Sequence, residues 1–451
     1  MRALVAPLAT GLALLCASCF SPSEVAVDCG GGVFCPAGTT CLPGGGCSGG
    51  GGMPDLTVPL MCMSNECAVM GVCTPWGAMG CGMGCPVCTS TDPHAMAICN
   101  VTPTTGTCST VCLGGYCMST NGKCLDNSND PNNCGLCGRK CPSGMCAGGL
   151  CAPERIAVAN NPVGLVLPPG AGSLVWADNG STTTGAIEQL SPIMPGTSSI
   201  KLAIGLDLPF AVATDSNFVY WTSRDNPNGN VYRNALGSPA SPTPLGTGGQ
   251  MGPYDVTVDD ANVYWTDQEG GTINKVSKTL GSPPVVLASG QMSPRGIALN
   301  NSGKVFWVNH TEGVIYSIST TPAMGEKPKT EAGGMKNPES VFLANGLLWI
   351  TDDTTIRFLD NNKGVTIAVM GRHLPFAMTA DSTFLYFTER GTAPGYIDGQ
   401  ITKVTLAQGQ PYIVTKMADN VANPWGIAVD KNYVYFSSNA APGGIYRIPA
   451  H

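Results

Sequence analysis

A chain of 451 residues is too long for one ordinary core, so more than one domain is expected. Only 12% of residues are charged, against 59 glycines and 36 prolines, a balance that disfavours long solvated helices and favours turns and short strands. The net charge of −7 is spread evenly, with three basic and seven acidic groups in residues 20–151 and 19 and 23 in residues 152–451. No basic half exists to attract phosphate backbones, so nucleic acid is not an expected partner.

The chain opens MRALVAPLATGLALLCASCF, with one Arg before a thirteen-residue apolar run, Ala3 to Leu15. Spanning a bilayer as a helix takes about 20 residues, so the run reads as the apolar part of an export signal over residues 1–18. Cys16-Ala17-Ser18-Cys19 resembles a bacterial lipobox, in which small residues precede a Cys that is lipidated. That resemblance implies lipidation of Cys19, with Ala17 and Ser18 fitting and Cys16 departing from the usual Leu. Phe20 stands where an inner-membrane retention Asp is common in that class, which implies the outer membrane or cell surface. Acyl chains hold a protein at about 0.8 kcal/mol per buried CH₂, so the membrane is an expected partner through this anchor.

All 22 cysteines lie between Cys16 and Cys151, and twenty follow Cys19. An even number behind an export signal reads as a disulfide framework in an oxidising compartment. Residues 19–61 hold the anchor, four cysteines six apart (Cys29, Cys35, Cys41, Cys47) and a Gly-rich linker. Residues 62–151 hold ten more cysteines from Cys62 to Cys117 and six from Cys124 to Cys151. Each group is even and could close on itself, and such segments are too poor in large apolar residues to fold without staples. The CxxC pairs Cys85/Cys88 and Cys134/Cys137 read as disulfide partners rather than a zinc or redox centre, since His94 is the only nearby imidazole. The expected result is a loop-rich stalk. The last group also resembles cysteine-rich modules of bacterial surface lipoproteins.

Residues 152–451 repeat. The phrases SLVWADNG, FVYWTSRD, NVYWTDQE, KVFWVNHT, GLLWITDD, FLYFTERG and YVYFSSNA align on Trp176, Trp221, Trp265, Trp307, Trp349, Phe387 and Phe436. Upstream of each stands a second phrase, anchored on Pro162, Pro209, Pro253, Pro294, Pro338, Pro375 and Pro424. Each unit reads as four short strands with no helical spacing. A four-stranded unit of roughly 40–45 residues is the β-propeller signature, so an all-β, seven-bladed propeller is expected. The seventh unit ends after its third strand, at Gly444–Ile448, while Glu154–Ala159 precedes the first unit as an orphan strand. The orphan is expected to complete the last blade and close the ring, since two open edges would invite aggregation.

Tyr264-Trp265-Thr266-Asp267 is the signature of the YWTD propellers, the class B repeats of low-density-lipoprotein receptors, and Tyr220-Trp221-Thr222 and Leu348-Trp349 resemble it. The resemblance implies a structural motif on the second strand of each blade, with aromatics packed between blades and the Asp tying neighbours. Those propellers typically have six blades, whereas seven units are counted here. Ser223, Asn309, Glu389 and Ser438 replace the Asp in four units.

Function is therefore expected elsewhere, at the channel mouth where the innermost strands begin. The residues after each Pro approach that rim, and the expected ligand-binding set is Phe210, Tyr254, Arg295, Glu339, Phe376 and Trp425, with Asp255 one position on. An apolar-aromatic rim with one Arg/Glu pair suits recognition. Only Asp255 and Glu339 are acidic among these positions, too few for a hard-cation site, and His310 and His373 sit in no nucleophile or metal motif, so neither metal nor cofactor is expected. The leading expectation is a monomeric, surface-anchored, non-catalytic module that binds a protein, peptide or glycan. The alternatives are a hydrolase or lyase acting on a sugar or lactone, favoured by carboxylates or His in the channel, and a structural envelope component, favoured by a channel filled with Phe210, Phe376 and Trp425.

Overall fold

A computed structural model describes residues 90–101 and 106–451, apart from 171, 181–182, 247, 361–363, 407–411 and 441–442, together with six short strands between 27 and 75. Residues 1–19, including Cys19, and the pair Cys85/Cys88 lie outside the described residues. The chain divides into two compact units, residues 1–128 with 136–138, and residues 129–135 with 139–451.

In the first unit the hairpin Tyr116–Met118 with Cys124–Asp126 straddles the boundary between two cysteine groups. The groups therefore do not close on themselves: Cys112 bonds Cys124 and Cys117 bonds Cys137. The second unit contains Cys134–Cys146 and Cys141–Cys151. Cys134, Cys141 and Cys151 cluster tightly because two disulfides pack together, and with every sulfur bonded they offer no thiolate to a metal. Cys134 and Cys137 are both disulfide-bonded, each to a distant partner. His94 stacks on Tyr116 at 4.1 Å.

The rest of the second unit is a seven-bladed β-propeller, and no helix occurs among the described residues. Blade 3 shows the pattern, with antiparallel strands Pro253–Val258, Asn262–Asp267, Thr272–Ser277 and Val285–Ala288 running from the channel outwards. Blade 7 has three strands from the C-terminus, and its fourth is Glu154–Val158, antiparallel to Gly444–Pro449. An ion pair between Arg447 Nε and Glu154 Oε2 at 2.7 Å reinforces this seam.

The core is not one core but seven, one at each blade interface. The residue at the motif's Tyr position packs against the Trp position of the next blade: Tyr220 with Trp265, Tyr264 with Trp307, Tyr386 with Phe436, and Tyr435 with Trp176 across the closure. Val175 takes the Tyr position beside Trp221. All six of these Trp-position and Tyr-position rings in blades 2, 3 and 6 are fully buried. Burying each is worth roughly 1.5–3 kcal/mol.

Blade 5 corrects the sequence register. Elsewhere the residue three after the Pro pairs with the aromatic, as in Val256↔Trp265 and Met378↔Phe387. In blade 5, Val341 pairs with Ile350, and Trp349 pairs with Phe342. Ile350 packs with Phe306 of blade 4, whereas Trp349 packs with Phe387 of blade 6. The equivalent of the signature is thus Trp349-Ile350-Thr351-Asp352: an aliphatic side chain fills the Trp position and the aromatic stands one residue earlier.

The motif's polar atoms also hold blades together. Thr266 Oγ1 accepts from Asp255 N at 3.1 Å and donates to the Arg295 carbonyl of blade 4 at 2.7 Å. Thr222, Thr351, Thr388 and Ser437 repeat the relay to Tyr254, Phe376, Trp425 and Val163, the last closing the ring onto blade 1. Blade 4 has Val308 instead. There Gly296 N donates directly to the Glu339 carbonyl at 3.0 Å, and the strands come so close that a Cβ on Gly296 would meet Ser340 Cα at 2.7 Å. The Asp position ties the second strand to the incoming connection, Asp178 accepting from Asn160 and Asn161 N and Asp267 from Met251 N. Ser223 and Ser438 substitute by donating to the carbonyls of Asp207 and Ala422. Asp259 accepts from Ala261 N, Asn262 N and Tyr264 Oη, a turn-forming role.

Replacing Thr266 by Val keeps the shape and deletes the relay, leaving a buried N–H and carbonyl without their hydroxyl partner. The expected loss is about 1–3 kcal/mol in urea unfolding of the full chain; an unchanged midpoint would refute the relay as a blade tie.

Candidate functional site

The innermost strands bring the residues after each Pro to one end of the channel. Phe210, Trp425 and Phe376 meet there as an aromatic layer, with Phe210–Trp425 centroids 5.7 Å apart at 88° and Phe376–Trp425 4.6 Å apart at 65°. Tyr254 joins at 5.0 Å from Phe210. Edge-to-face contacts of this kind fix the rings beyond what area burial does. Tyr254 Oη donates to Glu339 Oε1, and Arg295 pairs with Glu339 Oε2. Burial, with Glu339 beside it, holds the Tyr254 hydroxyl protonated far above its usual range.

Asp255 sits one residue deeper, in the channel wall. Its carboxylate accepts from Val256 N and from Ile297 N of blade 4, both at 2.9 Å, so it too ties adjacent blades. Burial pushes its carboxyl up to about 6, against the pull of those two N–H donors. The channel below the aromatic layer keeps a cavity of about 400 Å³, so the aromatics cross the mouth without filling the channel.

A second ring stands around the mouth, which the sequence reading did not collect. It is the residue after the motif's Asp position: Asn179, Arg224, Gln268, His310, Asp353, Arg390 and Asn439. Its signal was present, since every member is polar and all share one repeat register, but the residue types vary around the ring and no motif stands out. The backbone N–H of six members donates to the carbonyl of the residue before the Pro in its own blade, for example Arg224 N to Leu208 O at 3.0 Å and Arg390 N to Leu374 O at 3.1 Å. In blade 5 Asp353 N donates to Lys336 O instead. The residue before the Pro is left-handed in blades 2 to 7, with Leu208 at φ 44° and Leu374 at 53°, a turn common to the repeat.

Two guanidiniums of this ring lie on the aromatics. Arg224 is 4.6 Å from the Phe210 ring and 4.7 Å from the Tyr254 ring, and donates to Gln268 Oε1 at 2.8 Å. Arg390 is 4.3 Å from the Trp425 ring and donates to Asn423 Oδ1 at 3.1 Å. Both are half-buried and burial lowers their pKa, and a guanidinium stays charged. Among the described residues neither has a carboxylate within ion-pair distance. The Trp425 indole N–H also lacks an acceptor there. His310 is half-buried, with Nδ1 3.1 Å from the Pro338 carbonyl and 3.6 Å from Glu339 Oε2. Burial, and then Arg295, lower its pKa, so it is neutral near pH 7. His373 is exposed.

No protein-family model matches the chain, and no curated protein matches it. Solved structures do. A streptogramin B lyase superposes with a TM-score of 0.53 at 17% identity, over 66% of this chain and 97% of that one. A virginiamycin B lyase from Staphylococcus aureus gives 0.51 at 14% identity, over 66% and 99%. At these identities the likeness shows the propeller fold alone.

The raised carboxyl of Asp255 makes a signed prediction. Its protonated form is favoured in the folded state, so its contribution is most favourable at pH 4 and is lost as pH rises through about 6. The melting temperature of the wild type, taken relative to Asp255→Asn, should fall between pH 4 and about 6.5 and then level off; a flat difference would refute the shift.

Proposed function

We propose that the propeller is a non-catalytic binding module that takes its ligand at the channel mouth, on an exported protein anchored through Cys19 at the outer membrane or cell surface. One observation carries the binding reading: two half-buried arginines lie on an aromatic layer and, among the described residues, have no carboxylate within ion-pair distance. A desolvated guanidinium left unpaired is costly, and an external anionic group would offset that cost. Aromatic and Arg side chains are also the residues that dominate recognition energetics. Glu339 is not a competing free charge, because Arg295 and Tyr254 already engage it. The export and anchoring part rests on the sequence MRALVAPLATGLALLCASC and on the cysteine-rich segment that follows.

A specific observation favours a second reading. Neutral His310 beside Glu339 and Arg295 is an imidazole available for proton transfer at the same mouth, and lyases share the fold. A hydrolase or lyase acting on a sugar or lactone would use it as a base.

The test is the labelled full chain on arrays of glycans and peptides, wild type against Arg224→Ala/Arg390→Ala. Binding should be salt-sensitive and weakened by about 2–5 kcal/mol in the variant, since a buried charge contact is lost. Hits that survive the double substitution unchanged would refute the mouth as the site. Turnover of a bound sugar or lactone, lost in His310→Ala, would favour the second reading.

A further inference from the structure

The aromatic layer has two sides. Val163, Phe210 and Trp425 line the channel cavity and also line a separate outer cup of about 360 Å³ between blades 1, 2 and 7. Phe210 and Trp425 are thus the floor of the cup, and its walls are Asn161, Asn179, Asn439 and Arg224. The volume falls within the range of small-ligand sites.

The hydrogen-bond network fixes what the walls present. Arg390 Nε donates to Asn423 Oδ1, so the Asn423 amide must use its NH₂ to donate to Asn439 Oδ1. That leaves the Asn439 NH₂ as a donor to the cup. Asn179 Nδ2 donates to the Pro209 carbonyl at 3.1 Å, which leaves its Oδ1 as an acceptor. Arg224 spends one Nη2 hydrogen on Gln268 and keeps the rest of its five donors. Among the described residues no carboxylate lines the cup.

We infer that this cup binds an acidic saccharide, a sugar ring bearing a carboxylate. Sugar hydroxyls are donors and acceptors at once, matching a wall that offers both an amide donor, on Asn439, and an amide acceptor, on Asn179. A carboxylate matches the planar, donor-only fork of Arg224. The apolar C–H face of a pyranose ring matches an apolar floor made of two aromatic rings set edge to face at 88°. An acidic peptide would bring the carboxylate without a sugar ring for the aromatic floor. This assignment rests on the binding-module reading and adds to it the ligand class and the seat.

The experiment is calorimetric titration of the full chain with trigalacturonate, with neutral galactotriose and with triglutamate. The wild type should bind trigalacturonate, and galactotriose about tenfold or more weakly. The informative variant is Asn439→Asp. It keeps the acceptor that Asn423 uses and replaces only the free NH₂ by a carboxylate oxygen, so the melting temperature should hold while trigalacturonate affinity falls about tenfold or more. Arg224→Lys keeps the charge without the planar fork and should lose affinity as well. Absence of trigalacturonate binding, or binding indifferent to Asn439→Asp, overturns the saccharide assignment. Triglutamate binding that is lost in Arg224→Lys also overturns the saccharide class, while leaving the binding-module reading standing.

Discussion

A four-stranded blade is a sheet with two apolar faces, and alone it can bury neither. Everything in the second unit follows from that constraint. Each face is covered only by the neighbouring blade, so seven interface cores must form and the last must find the first. The Tyr-position and Trp-position side chains supply the apolar contact, from Tyr220 against Trp265 round to Tyr435 against Trp176. Once the faces are fixed, the innermost strands crowd the axis, and their backbone groups need partners across the blade boundary. The hydroxyl relay meets that need where Thr or Ser is present, and in blade 4, where Val308 takes that position, Gly296 meets it by close approach.

The same geometry separates structural work from recognition. The signature residues point into interfaces and connections, and none of their polar groups reaches the mouth. The next residue along is the first that is free of the repeat's demands. Its backbone is still held to the residue before the Pro, yet its side chain stands over the channel entrance. Seven rigidly placed positions with unrestricted chemistry make a surface whose specificity can vary while the ring beneath stays the same. The mix of Arg, Asn, Gln, His and Asp found here is that freedom in use.

Much of this was legible in the sequence, for a physical reason. Two phrases kept in register seven times report a repeated packing unit, and an orphan strand at the start with a missing strand at the end reports closure. The rim aromatics and the Arg295–Glu339 pair could be placed because the Pro fixes where the inner strand begins. Blade 5 misled because its conspicuous ring, Trp349, occupies the Tyr position. Spacing would have corrected it, since Pro338 to Ile350 is the twelve residues seen from Pro253 to Trp265. Asp255 was legible as unusual but not as a tie, because its partner Ile297 N belongs to another blade. Arg224 and Arg390 were hidden because a ring whose residue types vary from blade to blade forms no motif, although its register and polarity repeat. The disulfides crossed the apparent groups because the hairpin of Tyr116–Met118 with Cys124–Asp126 joins one group to the next, which cysteine spacing does not show.

The central claim is that the non-repeating ring over the aromatic layer is the recognition surface. A crystal structure of the full chain grown with trigalacturonate tests it most directly. The account predicts a sugar ring on Phe210 and Trp425 with its carboxylate on Arg224. A ligand lodged in the channel below the aromatic layer, or on the outer blade edges, would contradict it.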